Sequence, residues 1–189
     1  SFLGWYFIFI SRVILNAKVN TSGIEKLNTS QKFFIASSHQ SMFETFAYNY
    51  FIPNGFFILK KELMNIPLFG LYLKKLNCVS IDRGKTTKEN LNFSGKVINN
   101  INNGKTLIIF PQGTRVPHNE RAPIKKGVRR IYENLKISCL PIKLNTGKVW
   151  PKNSFLKYPG EINLIFKDII EPNLTGDDFI KALEFALYE

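Results

Sequence analysis

Two short segments of the chain combine side chains that can carry out a reaction. The first, Ser38-His39-Gln40-Ser41-Met42-Phe43-Glu44, sets an imidazole and a carboxylate five positions apart. If His39 lies in a loop and Glu44 one turn into the helix after it, the carboxylate can reach back to the ring, fix its tautomer and stabilise the imidazolium. A histidine so held is a general base. The chain has no Ser in a Gly-x-Ser-x-Gly elbow, and Ser38 and Ser41 are too close in sequence to His39 to be read as nucleophiles. The simpler chemistry is removal of a proton from a hydroxyl of the substrate. A His and a Glu that only shape a helix start are the competing view.

The second segment, Ile108-Ile109-Phe110-Pro111-Gln112-Gly113-Thr114-Arg115, is an apolar strand that breaks at Pro111 into a turn ending in a hydroxyl and a guanidinium. Backbone amides exposed in such a turn, together with Thr114 and Arg115, suit a phosphate, the Arg offering bidentate geometry. A tight turn that simply exposes an Arg competes with this.

The elements around these segments must bring them together. Short apolar runs at residues 32–37, 56–60, 78–81, 106–110, 138–144 and 161–166 read as strands, and stretches of helical period lie between them, which predicts an α/β sandwich. Met42, Phe43, Phe46, Ala47 and Tyr50 share one helical face, and Leu91, Ser94, Val97, Ile98 and Ile101 share another, stopped by Asn103-Gly104. The last helix is expected to start from a cap at Asp177 and to present Phe179, Ile180, Leu183 and Leu187. The polar stretches 37–41, 60–63, 82–84 and 111–115 each follow on the end of an expected strand, where an open α/β sheet gathers its site. All four are therefore expected to converge on one cleft.

Occurring together and in this order, the two reactive segments resemble the first and third motifs of the glycerolipid acyltransferases, the bacterial 1-acylglycerol-3-phosphate acyltransferase family: a His, four residues and an acid, then Phe-Pro-Glu-Gly-Thr-Arg. Further blocks are similar. Lys61-Glu62-Leu63 with Ile66-Pro67-Leu68-Phe69-Gly70 resembles the family's Lys-x-Glu-Leu stretch, and Ile81-Asp82-Arg83 resembles the block ending in a phosphate-binding Arg. Lys126-Gly127 follows the third motif, and Leu140-Pro141-Ile142 with Asn145-Thr146-Gly147 resembles the fourth. The likeness runs from Ile24 to Pro172. Two positions depart from it: Glu44 stands for the usual Asp, one methylene longer with the charge kept, and Gln112 stands for the usual Glu, with the charge lost.

The resemblance implies a single-domain glycerol-3-phosphate-acyltransferase-like α/β sandwich, a mixed sheet flanked by helices, at residues 21–189. It implies His39 and Glu44 as the catalytic pair and Lys61, Arg83, Gln112, Gly113, Thr114 and Arg115 as substrate-binding residues. It further implies lysophosphatidic acid as acceptor, acyl-CoA or acyl carrier protein as co-substrate, and phosphatidic acid as product of a ternary complex without an acyl-enzyme. No cofactor and no metal are expected, and no clustered His or Asp ligands stand out. An acceptor with another headgroup, or a glycolipid or amine-lipid precursor, is the neighbouring alternative.

Composition bears on the partners. The 189 residues are 44% hydrophobic and 21% charged, an ordinary globular balance, but 26 Lys and Arg against 14 Asp and Glu leave a net charge of +12, which favours polyanions. Nucleic acid is disfavoured, because no compact Lys/Arg run or interleaved aromatic motif appears. Cys78 and Cys139 lack metal or disulfide spacing and read as buried strand residues. Residues 1–20 are expected to form a membrane-associated helix: FLGWYFIFISRVIL at Phe2–Leu15 is apolar nearly all round, shorter than the about 20 residues a span needs, and has no small-residue cleavage site of a signal peptide. The expected location is the cytoplasmic face of a bacterial inner membrane, at an anionic leaflet, the chain being monotopic or anchored by this segment.

Overall fold

The computed structural model describes residues 2–81 and 93–189. In chain order the elements are α1 (Phe2–Leu15), β1 (Ala17–Ser22), β2 (Phe33–Ser37), α2 (Phe43–Phe51), β3 (Gly55–Lys60), α3 (Phe69–Lys75), β4 (Val79–Ile81), α4 (Phe93–Asn102), β5 (Thr106–Ile109), α5 (Lys126–Leu135), β6 (Ser138–Leu144), α6 (Thr146–Val149), β7 (Gly160–Phe166) and α7 (Gly176–Tyr188), with 3-10 turns at Ile24–Asn28 and Lys61–Asn65. They fall into two compact units, Ser1–Pro53 with Phe110–Glu189, and Asn54–Ile109.

In the first unit the strands lie in the order β1-β7-β6-β2. β1 runs parallel to β7 from Ala17 opposite Gly160, β7 antiparallel to β6 with Ile142 opposite Phe166, and β6 parallel to β2 with Phe33 opposite Ser138. The sheet is therefore mixed, as expected. β2 is buried from Phe34 to Ser37, which explains its unbroken apolar run, since a strand covered on both faces needs no alternation. β7 alternates instead, burying Ile162, Leu164 and Phe166. β1 was not expected as a strand. Its sequence AKVNTS buries only Ala17, and backbone pairing with β7 holds it, reinforced where the Asn20 amide donates to Asn163 Oδ1 at 3.1 Å.

Helix α7 covers this sheet with Phe179, Leu183 and Leu187, and the Phe179 ring stacks on Tyr132 of α5 at 3.8 Å between centroids. Its cap is Thr175, not Asp177: the Thr175 hydroxyl accepts from the Asp178 amide at 3.2 Å, while Asp177 and Asp178 occupy the first turn, where the helix dipole favours carboxylates. Helix α1 stops at Leu15, short of the expected residue 20, because the chain from Ala17 pairs as β1 instead; it lies against α2 through a narrow face of Gly4, Phe7 and Ser11. Phe7 stacks on Phe46 at 4.6 Å and on Trp150 at 5.3 Å. The rest of α1 leaves Phe2, Trp5, Tyr6, Phe9, Val13 and Ile14 exposed. No described helix is long and apolar enough to cross a membrane.

In the second unit β3 lies between β5 and β4, parallel to both. Cys78 precedes β4 and is half-buried, a correction to its expected strand position; its sulfur accepts from the Phe57 amide at 3.5 Å.

Gly4 sets how closely α1 seats on the helix that carries Glu44. A Cβ there would stand 2.7 Å from the Tyr50 backbone nitrogen, which cannot yield without moving α2. Gly4→Val should therefore lower the unfolding free energy by about 1–3 kcal/mol, in spite of the better helix propensity of Val over Gly. Urea titration followed by circular dichroism reads this, and an unchanged midpoint would show that α1 can shift without penalty.

Candidate active site

β2 ends at Ser37 and α2 begins at Phe43, so His39 falls in the loop between them and Glu44 in the first turn of the helix. The loop is fixed on both sides. The Ser38 amide donates to the Ile142 carbonyl at 3.0 Å, and the His39 carbonyl accepts from the Val116 amide at 2.8 Å. The Gln40 side chain donates to the Leu144 carbonyl at 2.9 Å and accepts from the Gly147 amide at 3.0 Å.

Glu44 is wholly buried, with 0% of its side chain exposed. A carboxylate there must have donors, and it has them. Oε1 accepts from the backbone amides of Gln40 and Ser41, each at 3.0 Å, and from the Thr146 hydroxyl; Oε2 accepts from the Ser41 amide at 3.0 Å. All these partners donate, which matches an ionised, acceptor-only carboxylate. The position at the start of α2 adds the favourable end of the helix dipole. Folding back along its own loop, Glu44 thus holds the conformation of the segment that carries His39.

The imidazole stands against this carboxylate. His39 Nδ1 is 3.7 Å from Glu44 Oε2, within ion-pair reach but beyond a hydrogen bond, and the ring is 17% exposed. Nδ1 is buried and finds no hydrogen-bond partner among the described residues. Phe110 lies flat on the ring, 3.9 Å between centroids and 16° between planes. The carboxylate sits at one edge and the aromatic face on one side, so the imidazole's orientation is set by packing as well as charge.

His39 lines a cavity of about 140 Å³ with Gln112, His118, Arg121, Lys143 and Tyr188 among its walls. Gln112 is 2% exposed; its amide nitrogen donates to the Tyr188 hydroxyl at 3.2 Å, and its Oε1 is buried without a partner among the described residues. Tyr188 is a strut. Its hydroxyl donates to the Ala122 carbonyl at 2.8 Å and accepts from the Ala122 amide at 3.1 Å, and Lys143 donates to its carbonyl at 3.1 Å.

The turn that the second segment was expected to make is present. Gly113 donates to the Phe110 carbonyl at 2.9 Å and has φ 68°, a left-handed conformation that suits glycine. Thr114 is exposed and Arg115 half-buried. Lys152 donates to the Arg115 carbonyl at 2.9 Å. Of the residues expected to bind substrate, Gln112, Gly113, Thr114 and Arg115 lie in the first unit with His39 and Glu44. Lys61 opens the 3-10 turn after β3 in the second unit, and Arg83 lies outside the described residues. Neither thiol competes as a nucleophile: burial pushes Cys78 up to about 11 and Cys139 well above its ordinary value. Among the described residues no group of three or more His, Cys, Asp or Glu comes together as a metal site.

Thr146 and Tyr188 were not expected in the site. Thr146 belongs to a recognised block but has no reactive neighbour in sequence, and nothing in the spacing of Tyr188 links it to Gln112.

The acyltransferase family matches residues 18–145. The chain is 31% identical over 176 residues to a 1-acyl-sn-glycerol-3-phosphate acyltransferase of Pseudomonas aeruginosa, covering 93% of this chain and 68% of that one. It is 30% identical over 186 residues to the Saccharomyces cerevisiae enzyme of the same name, covering 95% and 60%. The crystal structure of the 1-acyl-sn-glycerophosphate (LPA) acyltransferase PlsC from Thermotoga maritima superposes with a TM-score of 0.80 at 25% identity, over 97% of this chain and 75% of that one.

Glu44 and Thr146 make a direct test of the buried carboxylate. Glu44→Gln puts an NH2 group where only donors face it, so stability should fall by about 1–3 kcal/mol, and Thr146→Val should cost about 1 kcal/mol through the lost donor. The double variant should lose less than the two single losses combined, because both act on one contact. Additive losses in urea unfolding would separate Thr146 from Glu44.

Proposed function

The chain belongs to the acyltransferase family and is an O-acyltransferase; from that premise we propose that it moves a fatty acyl group from an acyl thioester to the free hydroxyl of 1-acylglycerol 3-phosphate, giving phosphatidic acid. The acceptor is drawn from the names of the Pseudomonas and yeast relatives. The observation that carries the chemistry is the pairing of His39 Nδ1 with a Glu44 carboxylate that its surroundings hold in place.

In the proposed reaction the acceptor hydroxyl gives its proton to His39 through the ring nitrogen remote from Glu44. The alkoxide oxygen forms its bond to the thioester carbonyl carbon, the carbon–sulfur bond breaks, and the leaving thiolate takes the proton back from the His39 imidazolium, giving free coenzyme A or acyl carrier protein thiol and neutral His39. Glu44 stabilises the imidazolium while it lasts. Closing the 3.7 Å gap to hydrogen-bond length accompanies charging of the ring, since the attraction then acts between full charges in a buried setting. No residue of the chain is acylated. Arg115, which has no ion-pair partner among the described residues, pairs with the acceptor phosphate beside Thr114, and Lys61 and Arg83 act with it on the strength of their motifs. Gln112 in place of a family Glu contributes hydrogen bonding alone.

The acceptor is a lipid, and the exposed face of α1 suits an interfacial helix, its aromatic residues at headgroup level and the net charge of +12 attracting an anionic leaflet. The proposed location is the cytoplasmic leaflet of a bacterial inner membrane.

His39→Ala should lower kcat by about 10²–10⁴-fold or more while leaving the circular dichroism spectrum unchanged; near-normal turnover would end the general-base assignment. Arg115→Ala should lower kcat/KM for lysophosphatidic acid on the order of ten- to a hundred-fold, acting through that substrate's KM rather than the acyl donor's. Arg115→Lys should restore little of it if the contact is bidentate. Monoacylglycerol, which lacks the phosphate, should be a poor acceptor that the substitution hardly worsens. Equal damage to both acceptors would assign Arg115 to the turn or the donor.

A further inference from the structure

Between α6 and β7 the chain makes a loop whose tip carries two adjacent, well-exposed apolar side chains. Phe155 is 100% exposed and Leu156 64%. Large apolar residues scattered singly on a surface are unremarkable, but adjacent ones on a built turn are a different matter. The loop is built. The Tyr158 amide closes its base on the Val149 carbonyl at 2.9 Å, the Ser154 hydroxyl donates to the Leu156 carbonyl at 3.1 Å, and the Lys157 ammonium donates to the Ser154 carbonyl. These bonds hold the backbone of the tip while leaving both apolar side chains in solvent.

The flanks are basic and aromatic. The Lys157 ammonium lies over the Trp150 ring, 5.1 Å from its centroid, and Trp150 stacks in turn on Phe7 of α1 at 5.3 Å. The base of the loop is therefore continuous with the helix whose other side exposes Phe2, Trp5 and Phe9. Lys148 is exposed at the loop's start, and Lys152 ties the loop to the Arg115 carbonyl at 2.9 Å. An apolar tip ringed by Lys, with a half-buried Trp and an exposed Tyr158 at its base, has the order of side chains met on going from the acyl region to the headgroups of an anionic lipid leaflet.

We propose that residues 153–158 form a second membrane-contact element, in which Phe155 and Leu156 enter the acyl boundary of an anionic bilayer while Lys148 and Lys157 meet its headgroups. With α1 it gives the first unit two points of contact with the lipid surface, and Lys152 links one of them to the turn bearing Arg115. The inference rests on the proposed lipid acceptor, and its test is separable from that proposal.

The test is co-sedimentation of the full chain with vesicles of mixed phosphatidylglycerol and phosphatidylcholine, read beside acyl transfer. The double variant Phe155→Ser, Leu156→Ser should weaken partitioning on the order of ten- to a hundred-fold. It should lower kcat/KM on vesicle-borne lysophosphatidic acid to a similar extent, and leave turnover of a short-chain, water-soluble lysophosphatidic acid as in the wild type. Phe155→Leu should partition like the wild type, because the contact is apolar and not specific to the ring. Partitioning within about two-fold of the wild type in the double variant, while Trp5→Ser with Phe9→Ser abolishes it, would overturn the loop's role and leave α1 as the contact. Loss of a dimer by size exclusion in the double variant, with partitioning unchanged, would assign the tip to a second copy of the chain and overturn it equally. A wild type that ignores vesicles refutes both contacts, whereas one that binds vesicles but acylates no lysophosphatidic acid refutes only the acceptor.

Discussion

The buried carboxylate of Glu44 is the constraint around which the first unit is arranged. An anion with no solvent contact is tolerable only where donors replace water, and here they come from two distant parts of the chain: the amides of Gln40 and Ser41 beside it, and the hydroxyl of Thr146 at the start of α6. Satisfying Glu44 therefore requires β2 and β6 to be paired in register, so that the loops leaving them meet. The same alignment lets Gln40 bridge Leu144 and Gly147 and brings Val116 against the His39 carbonyl. The imidazole inherits its position from these bonds, although it shares none of them directly.

A consequence is that the proposed base and its partner have unequal freedom. Glu44 is immobilised by several hydrogen bonds, while His39 is held by the flat contact with Phe110 and by electrostatics across 3.7 Å. Rigid carboxylate and adjustable ring is a sensible division for the proposed base, since only the ring would have to respond to a change of charge. On the far side of the cavity, Tyr188 does for Gln112 what the amides do for Glu44: it meets the amide nitrogen and ties it to Ala122, while the Gln112 oxygen faces no donor among the described residues.

Much of this was legible in the sequence because its signals are local. His39 and Glu44 lie within one loop and one helical turn, the Gly113 turn is announced by Pro111 and Gly113, and β2, β6 and β7 follow from apolar runs of strand length. What could not be read depends on pairing over long separations. β1 has a polar, strand-neutral sequence and exists because β7 offers it an edge. Thr146 and Tyr188 reach Glu44 and Gln112 only through the fold, and no periodicity connects them. The displaced cap is a local error: Thr175 and Asp177 are both good caps, and the choice between them is settled by where the chain enters α7.

The pairing of β1 with β7 also bears on how the chain is made. Ala17 is opposite Gly160, so at ribosomal rates of about 5–20 residues per second the first strand waits on the order of ten seconds for its partner to be synthesised. Thr146, needed by Glu44, is likewise late. Asn54–Ile109, by contrast, is contiguous and contains its own strand pairings, so it can consolidate while the unit on either side of it in sequence is still half made. During that interval the apolar surface of α1 has neither its sheet nor its full set of packing partners, and a nascent chain in that state gains from early capture by a chaperone.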